Sequence, residues 1–105
     1  MWIFTTGGFY SIVTDRNSSN LLVRSRVEGD IERLWPKAKV IANEGTDYRY
    51  RASIRRKEVE KAIQRAVAGI NYDNFKSAAA RQDHRRSIDY HRVWTVLAEM
   101  QDALP

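Results

Sequence analysis

The feature that most constrains the fold is a run of alternating residues near the middle of the chain, from Tyr48 to Arg55. Aromatic or aliphatic side chains alternate there with polar and mostly basic ones, which is the two-residue period of a half-buried β-strand. The alternation predicts a strand with two different faces. The apolar face would carry Tyr48, Tyr50, Ala52 and Ile54, and the basic face Arg49, Arg51, Ser53 and Arg55.

An earlier segment, Leu21–Val27, has the same period and places Arg24 and Arg26 on one face. If both strands belong to one sheet, its basic ridge carries Arg24, Arg26, Arg49, Arg51 and Arg55. Arginine forms bidentate hydrogen bonds with phosphate and carboxylate groups, so the ridge is a candidate surface for binding nucleic acid or another anion. The alternative is a solvent-facing sheet whose arginines pair with Glu28, Glu44 and Asp47.

The remaining patterns predict a small α+β fold. Trp2–Thr5 and Phe9–Val13 form either a hairpin or one bent strand, and Lys39–Asn43 is a further strand, so we expect four or five strands. Short and long helical patterns follow at Ile31–Trp35, at 59–70 with a stop at Gly69, and at 74–103 with a break near Gln82-Asp83. Together they predict an antiparallel sheet packed by two or three helices, in the order β-β-α-β-β-α-α and ferredoxin-like.

Length and composition indicate one globular domain, residues 1–105. No apolar run approaches the roughly 20 residues of a membrane-spanning helix, and no signal peptide is visible at the N-terminus. The absence of cysteine excludes disulfides and thiolate metal sites. We therefore expect a cytoplasmic protein that does not interact with membranes.

The net charge of +5 is unevenly distributed along the sequence. Residues 1–47 hold six basic and six acidic side chains, whereas residues 48–105 hold twelve basic and seven acidic ones. A basic half favours RNA, DNA or an acidic protein surface as partner, although a high charge also occurs on surfaces that bind nothing. A second basic cluster, around Arg85 and Arg86, is a further candidate contact surface.

No motif in the chain specifies a reaction. His84 and His91 are seven residues apart, about 10 Å along a helix, which is too far for joint metal binding. Glu58 and Glu60 would point in different directions on a helix, and no helix follows Gly7-Gly8 as a phosphate-binding loop would require. We therefore predict no catalytic residue, no metal ligand and no cofactor.

The last helical pattern carries an apolar stripe. Its members are Tyr90, Val93, Trp94, Leu97 and Leu104. Such a stripe must pack on another surface, which could be the core of the same chain or a second copy in a dimer.

The chain shows two resemblances to known proteins, one over nearly its whole length and one over seven residues. A family of short bacterial and phage proteins, to which no activity is assigned, resembles this chain at 1–5, 8–13, 45–48 and 71–76 and around Tyr90 and Val93-Trp94. This resemblance implies no activity and no catalytic residue. Separately, residues 45–51 are similar to the basic strand of ribosome-dependent toxin nucleases, although those toxins place their helices before the sheet and here the helices come last.

These observations favour a binding protein without catalysis that contacts nucleic-acid backbone or another anionic surface through its arginines. The first alternative is a small protein–protein inhibitor or adaptor, such as a phage anti-defence protein. The second alternative, which rests on the toxin resemblance, is a ribonuclease using Tyr48, Arg49 and Arg51.

Overall fold

The computed structural model describes residues 1–16 and 18–104. Asn17 and Pro105, which belong to the predicted domain, lie outside the described residues. The chain divides into two compact units, Met1–Ile70 and the part that begins at Asn71. Over the described ranges, the first unit contains five strands and two helices and the second contains two helices. The α+β class with an antiparallel sheet is confirmed, whereas the single domain stays a prediction.

The sheet occupies the first unit. Its strands are β1 Trp2–Thr5, β2 Gly8–Thr14, β3 Leu21–Ser25, β4 Ile41–Ala42 and β5 Tyr50–Ile54. Their order in the sheet is β1-β2-β3-β5-β4, and each neighbouring pair is antiparallel. β1 and β2 form a hairpin in which Thr5 pairs with Gly8 across Thr6-Gly7, so the bent-strand alternative is wrong. Three strands precede the first helix, which differs from the β-α-β-β-α-β order of a ferredoxin-like sheet.

Three strands are shorter than their sequence patterns predict, because the neighbouring strand offers no paired residue beyond these limits. The last pair between β3 and β5 joins Ser25 to Tyr50, so β3 ends before Val27 and β5 begins after Tyr48. β4 pairs with β5 over Ile41 and Ala42 alone. The alternating pattern in the sequence therefore extends beyond the residues that are paired in the sheet.

Two helices cover one face of the sheet and complete the core of the first unit. They are α1 Asp30–Leu34, which begins after Gly29 at a φ of 92°, and α2 Arg56–Ala68, which ends at the predicted Gly69. The core cluster consists of Tyr10, Ile12, Val23, Ile31, Trp35, Ala52, Ile54, Val59 and Ala62. Polar groups at its edge are paired, since the Tyr10 hydroxyl donates to the Asp30 carbonyl at 2.7 Å.

The second unit is a pair of helices, α3 Phe75–Gln82 and α4 His84–Ala103. Asn74 and Asp83 cap them through side-chain oxygens that accept backbone N–H groups, which explains the predicted break near Gln82-Asp83. Phe75 stacks on Tyr90 with ring centroids 5.7 Å apart.

Most of the predicted stripe on α4 is exposed. Tyr90 is buried, but the exposed side chains of the helix include Val93, Trp94, Leu97 and Met100, followed by Leu104 at its end. Among the described residues, no helix is long and apolar enough to cross a membrane.

Candidate nucleic-acid interface

The register of the strands sorts the sheet residues into two faces. Directly opposite residues in neighbouring antiparallel strands place their side chains on the same face. One row across the sheet therefore joins Trp2, Ser11, Arg24, Arg51 and Ile41. A parallel row joins Phe4 to Phe9 on the same face. We call this the arginine face, defined by Trp2, Phe4, Phe9, Ser11, Arg24 and Arg51; the opposite face, with Tyr10, Ile12, Val23, Ala52 and Ile54, is the core face.

Arg24 and Arg51 lie at the centre of the arginine face. The alternation assigned both to one face of a shared sheet, and the register of β3 and β5 pairs them directly. Both are half-buried. One terminal nitrogen of Arg24 donates to the Ser11 hydroxyl at 2.7 Å, which fixes the guanidinium over β2. Two like charges at directly opposite positions repel each other and destabilise the strand pair. The site therefore has a net positive potential that an anion would relieve.

The ring of Tyr48 contacts the side chains of two arginines. The guanidinium carbons of Arg24 and Arg26 lie 4.5 Å and 4.1 Å from the centre of the Tyr48 ring, within the range of a cation–π interaction. The alternation had placed Tyr48 beside Tyr50 on the apolar face, whereas its buried ring contacts the arginines. The reason is that Tyr48 precedes β5, so strand parity does not extend to it.

The arginines differ in how far their charge is neutralised. Arg26 lies past the end of β3 and pairs with the Asp47 carboxylate at 3.3 Å, as the alternative of cross-strand pairing expected for Asp47. Arg24 and Arg51, by contrast, form no ion pair with any carboxylate in the part of the chain that the structure describes. The Nε atoms of both are buried and lack an acceptor among the described residues. Buried donors without a protein acceptor are unusual in folded proteins, and water or a bound anion can supply the acceptor.

The other predicted arginines lie away from this pair or outside a strand. Arg49 is exposed just before β5, and its backbone carbonyl accepts the Asn43 N–H at 2.8 Å. Arg55 precedes α2 at the far end of β5, where its guanidinium is 3.4 Å from Glu58. Arg85 and Arg86 belong to the second unit, and Arg86 pairs with Asp83 within it. The structure thus brings together Arg24, Arg51 and Arg26 from the predicted set.

An aromatic cluster also lies on the arginine face, although hydrophobicity by itself favours core positions for such residues. Phe9 packs against Phe4 with ring centroids 4.5 Å apart and meets Trp2 edge to face at 5.7 Å. Trp2 is 69% exposed although it is the largest side chain of the hairpin. The alternation of Trp2 and Phe4 with Ile3 separates the two faces of β1, but it does not tell which of them is shared with Arg24.

The division into units also redistributes the charge. Residues 1–70 hold thirteen basic and eight acidic side chains, whereas residues 71–105 hold five of each. The whole net charge of +5 therefore belongs to the unit that contains the sheet. The basic cluster at Arg85 and Arg86 lies in a unit without net charge.

The described residues contain no group of three or more histidine, aspartate or glutamate side chains that could hold a metal ion. His91 stacks on Trp94 with ring centroids 5.6 Å apart, which gives it a structural contact within the second unit. The arginine face carries hydrogen-bond donors, positive charge and aromatic surfaces.

Comparisons of the chain with known protein families, with curated proteins and with solved structures find no match.

Proposed function

We propose that this protein binds nucleic acid, without catalysing a reaction on it, through the arginine face of its sheet. The observation that carries the proposal is the direct pairing of Arg24 with Arg51, with no ion-pairing carboxylate for either in the described ranges. A solvent-facing sheet without a partner would be expected to alternate its charges or pair them. A cross-strand pair of unneutralised arginines is instead an arrangement that favours a phosphate group.

The geometry of the pair suits an extended polyanion. Opposite residues of neighbouring strands lie about 4.5–5.5 Å apart at their Cα atoms, so the two arginine side chains leave the sheet from adjacent points of one face. Ser11 and Tyr48 hold Arg24 from two sides, which lowers the side-chain entropy lost on binding. Pre-positioned guanidinium groups form bidentate bonds that lysine could not form.

The charge of the whole unit supports the same proposal. Its net charge of +5 would attract a polyanion over several ångströms and would make binding sensitive to salt. Each phosphate that is neutralised releases counterions and lowers the logarithm of affinity by about 0.7–0.9 per unit of log salt concentration. Salt dependence is therefore a direct measure of how many arginines contact phosphate.

The proposal is tested with Arg24→Gln/Arg51→Gln and labelled RNA and DNA oligonucleotides in fluorescence anisotropy at several salt concentrations. Loss of two charge-assisted contacts should lower affinity about tenfold or more and reduce the salt slope by about two. The matched control is Lys57→Gln/Arg65→Gln, which removes the same charge from exposed positions of α2. Equal affinities for the wild type and the Arg24/Arg51 variant, or an equal loss in the control, would overturn the proposal.

The ribonuclease alternative gains no support from its key residue. Tyr48 is 4% exposed, and the guanidinium groups of Arg24 and Arg26 cover its ring. A substrate would reach this side chain only after both arginines had moved. Intact total RNA and normal growth during induced expression would exclude this alternative.

A second candidate function, self-association through α4, rests on a separate observation. Tyr90, Val93, Leu97 and Met100 follow the 3-4-3 spacing of a coiled-coil seam on α4, and Leu104 comes just after the helix ends. All of them except Tyr90 are exposed. Beyond Tyr90, which follows Asp89, the positions that flank the seam carry no charge; they are Trp94, Val96, Gln101 and Ala103. Charges at flanking positions normally discriminate between partners, so an uncharged flank lets two identical helices pair without repulsion.

A dimer of this kind would form through the exposed apolar side chains at the C-terminal end of the chain, Val93, Trp94, Val96, Leu97, Met100 and Leu104. A specific interface buries about 1,200 Å² or more in total, or about 600 Å² per chain. Sedimentation velocity over a range of concentrations should show a weak dimer that Leu97→Lys abolishes. Val67→Lys, at an exposed position of α2, should leave the dimer unchanged. A monomer at every concentration would contradict this candidate.

A further inference from the structure

The aromatic cluster adds a second kind of contact to the arginine face. Trp2, Phe4 and Phe9 lie on the same face as Arg24 because β1, β2 and β3 are paired in register. Trp2 is two strands away from Arg24, which corresponds to about 10 Å between backbones. One surface thus presents aromatic rings beside guanidinium groups, and both groups can contact a ligand at the same time.

The exposure of Trp2 is unusual in energetic terms. A tryptophan side chain would contribute more to stability in the core, since aromatic residues bury about 150–250 Å² there. Trp2 nevertheless remains 69% exposed, while its backbone is held in the sheet by pairing with Ser11 and by the neighbouring hydrogen bond from the Ile12 N–H to the Met1 carbonyl at 2.8 Å. The ring is thus exposed on a fixed backbone, as an aromatic platform for a ligand would be.

The position of the cluster in the sheet gives access to this ring. β1 is the first strand in the sheet order, so Trp2 stands on an edge strand. Phe9 supports it from β2 through an edge-to-face contact, and Phe4 supports Phe9 in turn. A planar group could therefore stack on Trp2 from the border of the sheet while a connected anionic group reaches Arg24.

From this arrangement we infer that the arginine face takes single-stranded nucleic acid, with a base stacked on Trp2 and the adjoining phosphates on Arg24 and Arg51. The inference rests on the proposed function and names its substrate class. Bases in a duplex stack on each other and present only their edges, whereas bases of a single strand are free to stack on aromatic side chains. A duplex would use the arginines alone and gain nothing from Trp2.

The test compares unpaired RNA and DNA oligonucleotides with duplexes of the same length by anisotropy, at one salt concentration, for the wild type and for Trp2→Ala. Removal of one stacking platform should weaken binding of the single strand about 5- to 100-fold and leave the duplex unaffected. Trp2→Phe keeps an aromatic ring and should restore most of the lost affinity.

The matched control is Trp94→Ala, because Trp94 is also an exposed tryptophan, at 53%, but lies in the unit without net charge. Trp94→Ala should change neither the affinity for the single strand nor the affinity for the duplex. Equal losses for single strand and duplex in Trp2→Ala, no loss for either, or an equal effect of Trp94→Ala would each overturn the inference.

The outcomes distinguish this inference from the proposed function. If Arg24→Gln/Arg51→Gln weakens binding but Trp2→Ala does not change the preference for single strands, the protein binds nucleic acid without base stacking. If the wild type binds neither single strands nor duplexes, the inference and the proposed function are both contradicted. The direct optical sign of stacking is quenching of tryptophan fluorescence by the unlabelled single strand, which Trp2→Phe should remove and Trp94→Phe should preserve.

Discussion

The two faces of the sheet carry different kinds of residue although they alternate along the same strands. On β2, Ile12 faces the core and is buried, whereas Val13 faces the other way and is half-buried. On β5, Ala52 is buried between its neighbours while the adjacent Arg51 belongs to the arginine face. The core face is closed by α1 and α2, but the arginine face holds charge and aromatic rings. The first unit therefore builds its core with one face of the sheet and carries arginines and aromatic rings on the other.

The largest effect is expected for a truncation on the core face. Ile12→Ala should lower the free energy of unfolding by about 2–5 kcal/mol, because it opens a cavity among tightly packed side chains. Val13→Ala, one residue away on the arginine face, should lower it by about 1 kcal/mol or less. Urea unfolding followed by circular dichroism measures both. Equal losses would remove the distinction between the faces.

A smaller loss of stability is expected for a substitution at Gly8, on the core face of β2, where the surrounding atoms leave no room for a side chain. A Cβ atom on Gly8 would lie 2.7 Å from the Tyr10 hydroxyl and 3.0 Å from the Asp30 side chain. Gly8→Ala should therefore destabilise the fold by about 1–3 kcal/mol through overpacking. In a Tyr10→Phe background the hydroxyl is absent, so the added methyl group should cost less. Additive effects in this double-mutant cycle would mean that the close approach of the hydroxyl is not the cause.

The smallest effect, and one of opposite sign, is expected on the arginine face. Arg51→Thr removes one of two directly opposed charges and introduces a β-branched residue that favours strands, so stability at low salt should rise by about 0.5 kcal/mol. High salt should diminish the gain, because it screens the repulsion in the wild type. Thermal unfolding at two salt concentrations gives the comparison. Destabilisation by the substitution at both concentrations would show that Arg51 serves the fold.

The sequence predicted the part of the site that depends on strand parity. Arg24 and Arg51 could be assigned to one face because alternation with period two determines faces wherever a strand is paired. The face of Tyr48 could not be predicted in this way, since Tyr48 lies before the first paired residue of β5 and its ring is positioned by contact with Arg24 and Arg26. Alternation along a strand does not determine the side-chain direction of residues that are not paired in the sheet.

The aromatic cluster was missed for a different reason. Hydrophobicity places Trp2, Phe4 and Phe9 in a core by default, and only the register between β1, β2 and β3 shows that they share a face with Arg24. Register depends on the length of the turn at Thr6-Gly7 and on long-range pairing, which periodicity within one strand does not contain. The stripe on α4 has the same limitation, because helical spacing predicts an apolar face but not the surface that covers it.

The directly opposed arginines also connect the stability of the fold to the binding of an anion. If Arg24 and Arg51 repel each other in the free protein, an anion bound between them stabilises the native state by an amount that grows with the logarithm of its concentration. The heat-induced unfolding temperature then serves as a label-free titration of the site, and the wild type should gain more from a polyanion than any variant in which the repulsion has been removed. A protein of this kind would be least stable when its site is empty, and would respond to its ligand by becoming harder to unfold and to proteolyse.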